Sequence, residues 1–408
     1  MLQNRLRTLF RSYPRQYWFL MIGMLINTTG MGMIWPFLTI YLRQTLNIPL
    51  STVTALLTLD SLMSIVATFI AGPISDRFGR KGVMVLSLGM MGAVYVVMSA
   101  ATQLWLFAVL MGLRGLFVPL YRIGADAMVA DMIQDHQRAD AYSLLRTVNN
   151  IGVAVGPSLG GFVAAASYTA AFIGASSCLL FFSLFVLFTM KETLAPDQRT
   201  GSKSGNRDLG YGHILRDKTF LLVILSLTMV GMGSSLVFVL IGVYGKENFA
   251  ISESQIGFLM AVNAMMVIFF QVLVTRITKR FSPLPVLMVG ALFYAVGIGA
   301  ISLGSTAWQF AICMAVLTIG ELIVSPTSTS LTANLAPLEM RGRYMSFYWL
   351  AWSISHGAGP LVGGLIYDRI TPQAMWLGGA LWCVLGALVF LLLTRHVRRS
   401  QAAEPAAA

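Results

Sequence analysis

Four side chains stand where an apolar sequence should exclude them. Asp60, Arg114, Glu321 and His356 each lie inside a long hydrophobic run. A charge in such a place is costly, so a carboxyl there persists only if it is paired, hydrated or protonated. Binding and releasing a proton is therefore the chemistry to expect of Asp60, Glu321 and His356, whereas the guanidinium of Arg114 keeps its charge. Glu321, in IGELIVSP, is the only acid of its run (about 306–332). It lies roughly 20 Å or more from the run's outer end at about 1.5 Å per residue, and is the leading candidate for proton carriage. Asp60, in the outer half of the run at about 52–75, is the second. His356, in the run at about 344–368, is the third, since an ordinary imidazole titrates near neutrality. Arg114 sits about 15 Å into the run at about 104–127.

The elements that must hold these groups follow from composition. The 408 residues are 57% hydrophobic and 11% charged, whereas soluble chains carry about 25% charged residues. A bilayer span needs roughly 20 apolar residues. Twelve such runs can be counted, from about 16–42 to about 374–394, and the connections between them are short. No length remains for a soluble catalytic domain. No HExxH, Walker loop, nucleophile elbow or paired metal ligands occur, so neither an enzyme, a cofactor nor a metal site is expected. Cys178, Cys313 and Cys383 lie far apart inside apolar runs and suggest no disulfide framework.

The net charge of +12 could signal nucleic acid, but its placement argues for topology. If both termini face the cytoplasm, most of the 28 Lys and Arg fall on inward segments, among them Arg77, Arg80, Lys81, Arg138, Arg276, Lys279, Arg280, Arg341 and Arg343. The opposite loops hold only Arg43, Lys246 and Arg369. This is the positive-inside pattern. The basic start is followed by a run long enough to span, so an uncleaved first helix is expected. One polar, Gly- and Ser-rich stretch interrupts the runs and divides six from six. The expected organisation is a six-helix bundle over 1–190, a cytoplasmic linker over 191–218, a second bundle over 219–395 and a cytoplasmic tail over 396–408.

GVAVGPSLGG (Gly152, Gly156, Pro157, Gly160, Gly161) reappears in part as SHGAGPLVGG, with Gly156 matching Gly359 and Gly160 matching Gly363, an offset of 203 residues. The same offset brings Arg77 onto Arg280, Arg138 onto Arg341 and Tyr41 onto Tyr244. A constant offset over several motifs marks a duplicated bundle, and duplicated bundles belong to transporters that rock one half against the other. Gly152, Gly156 and Gly160 recur every four residues, so one helix face can admit a neighbouring backbone closely.

These residues carry a family resemblance. GPISDRFGRK (Gly72, Asp76, Arg77, Gly79, Arg80, Lys81) resembles the signature between helices 2 and 3 of the major facilitator superfamily. GVAVGPSLGG resembles the helix 5 motif of its proton-coupled drug antiporters. The resemblance implies an all-α membrane protein with twelve transmembrane helices in two pseudo-repeated six-helix bundles. It also implies a cytoplasmic gate in which Gly72 allows close helix approach, Asp76 meets the start of helix 11, and Arg80 bridges to Asp131 or Asp126. Helix 5 is expected at the seam against helix 8, and helix 11 against helix 2. Arg114 resembles the helix 4 arginine linked to proton transfer, although Val118 stands where that pattern has glycine.

Asn27, Trp35, Arg146, Asn149, Asn150, Asn263, Tyr348 and Trp352 supply polar or aromatic groups at depths where a substrate cavity could lie. The expected function is export of amphipathic compounds or drugs in exchange for protons by alternating access. The alternatives are symport or uniport of a metabolite such as a sugar or peptide, and a membrane protein without transport activity. The expected partners are a small-molecule substrate and the lipid bilayer, with H+ as coupling ion and no nucleic acid. A functional monomer in a prokaryotic inner membrane is expected, with both termini cytoplasmic.

Overall fold

The computed structural model describes residues 13–134, 137–194, 214–337 and 340–403. Among them there is no β-strand, and twelve long helices follow one another. They are α1 (Arg15–Leu46), α2 (Leu50–Phe78), α3 (Arg80–Ala100), α4 (Leu104–Met132), α5 (Arg138–Ala166) and α6 (Tyr168–Thr189). After the connection come α7 (Lys218–Phe249), α8 (Glu253–Thr278), α9 (Pro283–Ile301), α10 (Ala307–Leu335), α11 (Arg341–Arg369) and α12 (Pro372–Ala403). Eleven are long and apolar enough to cross a membrane. The other, α11, has the length but carries Ser353, Ser355 and His356 at its middle.

Local sequence explains the ends. Ser252 with Gln255, and Thr306 with Gln309, form reciprocal capping boxes that start α8 and α10. Arg138 reaches back from the start of α5 to the last carbonyls of α4, donating to Ala130 O at 2.6 Å and Ile133 O at 3.1 Å. A cation there answers the negative end of the helix. Within α1, Pro36 lacks an N–H, and the helix tightens to a single 3-10 turn at Trp35–Phe37.

The chain forms two compact units, one of Met1–Tyr41 with Leu62–Lys203, the other of Leu42–Ser61 with Ser204–Ala408. The first packs α1 on α5 and α3 on both α4 and α6. The second repeats this six helices later, with α7 on α11 and α9 on both α10 and α12. The duplication seen as a constant offset is thus a duplication of packing.

The unit boundary departs from a simple division at the linker. Leu42–Ser61 belong with the second unit, and the reason is specific. Asp368, at the end of α11, accepts from Leu50 N at 3.2 Å and Ser51 N at 2.7 Å. Thr58 Oγ1 donates to Gly357 O at 2.8 Å. Of the linker expected over 191–218, residues 195–213 lie outside the described residues. Of the tail expected over 396–408, 404–408 do so, and the part before them continues α12 to Ala403.

Asp368 does for α2 what an N-cap does, from another helix. Asp368→Ala is expected to destabilise the protein by about 0.5–2 kcal/mol. Thermal unfolding in detergent, beside Asp368→Asn, which keeps an acceptor, would show it.

Candidate functional site

At the turn between α2 and α3, Arg80 joins two acids. Its Nη1 donates to Asp76 Oδ1 at 2.5 Å and its Nε to Asp131 Oδ2 at 3.3 Å. Of the two acids expected at the base of α4, Arg80 thus meets Asp131, whereas the backbone carbonyl of Asp126 accepts from Tyr142 OH at 2.9 Å. Arg77 lies over the ring of Phe78, 5.8 Å from its centroid, and Lys81 enters the site through its backbone N–H.

The two glycines of this motif differ. A Cβ at Gly72 would meet nothing within 4 Å, so the close approach expected there is not made. Gly79 instead has φ +88°, a conformation that favours glycine, and a Cβ on it would strike the carboxylate of Glu192.

The glycine face of α5 is packed on α1. A Cβ at Gly152 would lie 2.8 Å from Thr28 Cβ, and one at Gly156 would lie 2.7 Å from Thr29 O and 2.9 Å from Gly32 Cα. Gly160 is pressed against the backbone of Met33. The close backbone approach expected of these glycines is thus made by α1. Pro157 lies inside a continuous α5, where a Cβ on Gly32 would come 3.1 Å from its Cδ. Gly161 is buried beside it.

The second half repeats the arrangement. A Cβ at Gly359 would lie 2.6 Å from Met232 O of α7, and Gly363 faces Leu236 and Leu240. Ser355 replaces Gly152 and donates to Thr228 O at 2.9 Å. The other side of α11 meets α2, where a Cβ at Gly357 would lie 3.0 Å from Ser61 Cβ.

The polar groups within spans gather separately in each unit. In the first, the guanidinium of Arg114, 6% exposed, lies 4.8 Å from the centre of the Trp35 ring, close enough for a cation–π contact. The 3-10 turn in α1 is what places Trp35. Thr28 Oγ1 donates to Asn149 Oδ1 at 3.1 Å. Asn27 is buried, Asn150 half-buried and Arg146 exposed.

In the second unit Glu321 is half-buried, and Asn263 Nδ2 donates to its Oε2 at 2.7 Å and to Thr318 Oγ1 at 3.0 Å. Thr318 in turn donates to Met314 O at 2.6 Å. Its proton is committed, so it can only accept from Asn263. Tyr348, Trp352 and His356 follow one face of α11 at intervals of four, with ring centroids 6.4 Å and 6.0 Å apart. Tyr348 OH is within 3.2 Å of both Ser328 Oγ and Thr329 Oγ1 of α10. His356 Nδ1 is 2.9 Å from Trp352 O, which assigns the proton to Nδ1 and leaves Nε2 as an acceptor. Asp60, 8% exposed, lies in the stretch of α2 packed on α11.

Comparison with known proteins accounts for this architecture. The sequence profile of the Major Facilitator Superfamily matches residues 20–249 and, again, 223–408. The chain belongs to that superfamily. Among curated relatives it is 27% identical, over 91% of its length and 92% of the relative's, to a Na(+), Li(+), K(+)/H(+) antiporter of Planococcus maritimus. It is 26% identical, over 92% of both chains, to the multidrug resistance protein MdtH of Yersinia enterocolitica. Among solved structures it resembles a peptide transporter, POT, with TM-score 0.76 at 16% identity over 95% of both chains. The nucleoside transporter NupG gives TM-score 0.78 at 13% identity over 92% of this chain and 99% of that one. The likeness to these structures is one of fold, the superfamily's arrangement of twelve transmembrane helices in two bundles.

Two clusters in this superfamily member were not anticipated from sequence. One is Glu192 with Thr193 beside the α2–α3 turn, whose signal was an acid only three residues past the sixth span. The other, in the second unit, links Arg43, Glu247, Tyr367 and Asn248. Arg43 Nε donates to Glu247 Oε1 at 2.8 Å, Tyr367 OH to Glu247 Oε2 at 2.9 Å and Asn248 Nδ2 to Tyr367 OH at 3.0 Å. Arg43 and Glu247 border an open pocket of about 580 Å³ that Gln44, Asn47 and Asp368 also line. Arg43 and Glu247 lie 204 residues apart, one more than the repeat, which pairs Arg43 with Lys246, so the duplication does not announce their contact.

Proposed function

We propose that this superfamily member exports amphipathic organic compounds in exchange for protons by alternating access. The observation that carries the reading is Glu321: a lone acid midway along α10, held by one amide hydrogen bond from Asn263. A carboxyl at that depth is neutral when protonated and, when ionised, has Asn263 and a cationic substrate to answer its charge. Proton and substrate then bias one two-state equilibrium in opposite directions. Protonation from outside releases the substrate outward, and loss of the proton to the cytoplasm restores binding. Asp60, Arg114 and His356 are further coupling candidates. Asn27, Trp35, Arg146, Asn149, Asn150, Asn263, Tyr348 and Trp352 are the candidates for the cavity. The similarity to a multidrug resistance protein supports the substrate class.

A second reading is exchange of alkali cations for protons, favoured by the similarity to a Na(+), Li(+), K(+)/H(+) antiporter. In either case we place the chain in a prokaryotic inner membrane as a monomer without a cofactor, the α2–α3 turn and both termini cytoplasmic. The asymmetry of Lys and Arg supports that orientation.

Inverted vesicles provide the test. With an inward-acid proton gradient, an exporter accumulates ethidium inside them and the accumulation vanishes when the gradient is collapsed. Accumulation that survives the collapse contradicts proton coupling. Loss of preloaded compound from the vesicles with the protons would indicate symport, and exchange of Na+ or Li+ without ethidium movement would favour the second reading.

A further inference from the structure

The carboxylate of Glu192 does more than begin a linker. Its Oε1 accepts from Arg80 N at 3.0 Å and its Oε2 from Lys81 N at 3.2 Å, the first two amides of α3. Oε1 also accepts from Thr193 N and Leu194 N, both at 3.0 Å. One side chain therefore closes two turns at once, the start of α3 and the segment leaving α6. The amides it takes are among those a helix leaves unpaired, at the end where a negative charge is favoured.

Gly79 is the N-cap of α3 but has no side chain to perform that office. A Cβ there would occupy the place of the Glu192 carboxylate, so the glycine and the acid require each other. The next residue along, Thr193, donates its hydroxyl to Asp131 Oδ2 at 3.0 Å, the same oxygen that Arg80 Nε approaches at 3.3 Å. Glu192 and Thr193 thus hold Arg80 by its backbone and Asp131 by its side chain, which brings the guanidinium within reach of Asp76 and Asp131 together.

We propose that Glu192 is a positioning residue of the α2–α3 gate, fixing the start of α3 so that Arg80 can bridge Asp76 and Asp131. The gate itself rests on the alternating-access reading above, whereas the positioning stands on local geometry and can be tested apart from transport.

Amide hydrogen exchange of the full-length chain in detergent separates the two. In Glu192→Ala, exchange at Arg80 and Lys81 is expected to rise about tenfold, the worth of a hydrogen bond to a charged group. The rise should extend to the peptide containing Asp131 and leave α9 and α10 unchanged, which excludes a general loss of stability. Glu192→Gln keeps an acceptor oxygen and should recover part of the protection. Gly79→Ala should reproduce the pattern, and adding it to Glu192→Ala should add less than its effect alone, since both break one contact. A rise confined to Arg80 and Lys81 reduces Glu192 to a helix cap and overturns the proposal, as does unchanged exchange in every variant. Ethidium uptake by inverted vesicles supplies the functional arm: turnover in Glu192→Ala should fall about tenfold at unchanged KM. A wild-type chain that moves no ethidium counts against the transport reading, and the exchange arm still decides the role of Glu192.

Discussion

Replacing Gly156 with alanine is expected to destabilise the protein by about 1–3 kcal/mol, the usual cost of overpacking, and replacing it with leucine should leave little folded transporter. The obstacle is main chain. A Cβ at Gly156 would stand 2.7 Å from Thr29 O and 2.9 Å from Gly32 Cα. No rotamer change relieves a clash with backbone, so α1 and α5 must separate and every contact along their seam weakens. A loss of that size is a large share of the roughly 5–15 kcal/mol that holds a domain folded. Gly72 is the control, because a Cβ there meets open space. Gly72→Ala is expected to be neutral or to stabilise α2 by up to about 0.5–1 kcal/mol, the helical preference for alanine over glycine. Thermal unfolding in detergent, followed by tryptophan fluorescence, measures both. Equal melting temperatures for Gly156→Ala and Gly72→Ala would contradict the packing of α5 on α1.

Glu321→Gln should abolish proton-driven accumulation while sparing exchange of substrate for substrate. Glutamine retains an oxygen that Asn263 can donate to, so the 2.7 Å contact between α8 and α10 has a neutral equivalent. What is lost is the capacity to change charge, and with it the link between gradient and substrate. A transporter frozen in its neutral form can still rock with cargo bound, and counterflow in vesicles reports that motion. Asp60→Asn is the comparison. If Asp60 instead carries the proton, the two phenotypes exchange places. If both variants accumulate substrate as the wild type does, neither acid couples.

Much of the fold was legible because hydropathy and duplication are properties of the chain itself. Twelve apolar runs and an offset of 203 residues led to two matching bundles, and the helices of the structure follow them. Depth along a helix was legible too, which is why Glu321 stood out. Partners were less so. The spacing of Gly152, Gly156 and Gly160 says that some backbone approaches, but any of several helices would satisfy it, and the one that does is α1. The pairing of Asn263 with Glu321 joins residues far apart in sequence, and no local pattern announces it. Gly79 and Glu192 show the same limit from another side. A positive φ and a carboxylate resting where a Cβ would be are facts of three dimensions, and in the sequence Glu192 looked like the first polar residue of a linker. The 3-10 turn at Trp35–Phe37 was signalled by Pro36, yet that it turns Trp35 toward Arg114 depends on α4 being alongside.

Proton release from purified protein in weakly buffered detergent tests the coupling most directly. Ethidium, tetraphenylphosphonium, NaCl and LiCl would each be added to wild type and to Glu321→Gln. Wild type should release protons saturably on addition of an organic cation, and Glu321→Gln should release none. Undiminished release from Glu321→Gln would contradict the assignment of the proton to Glu321, and release by NaCl or LiCl alone would replace the organic substrate with an alkali cation.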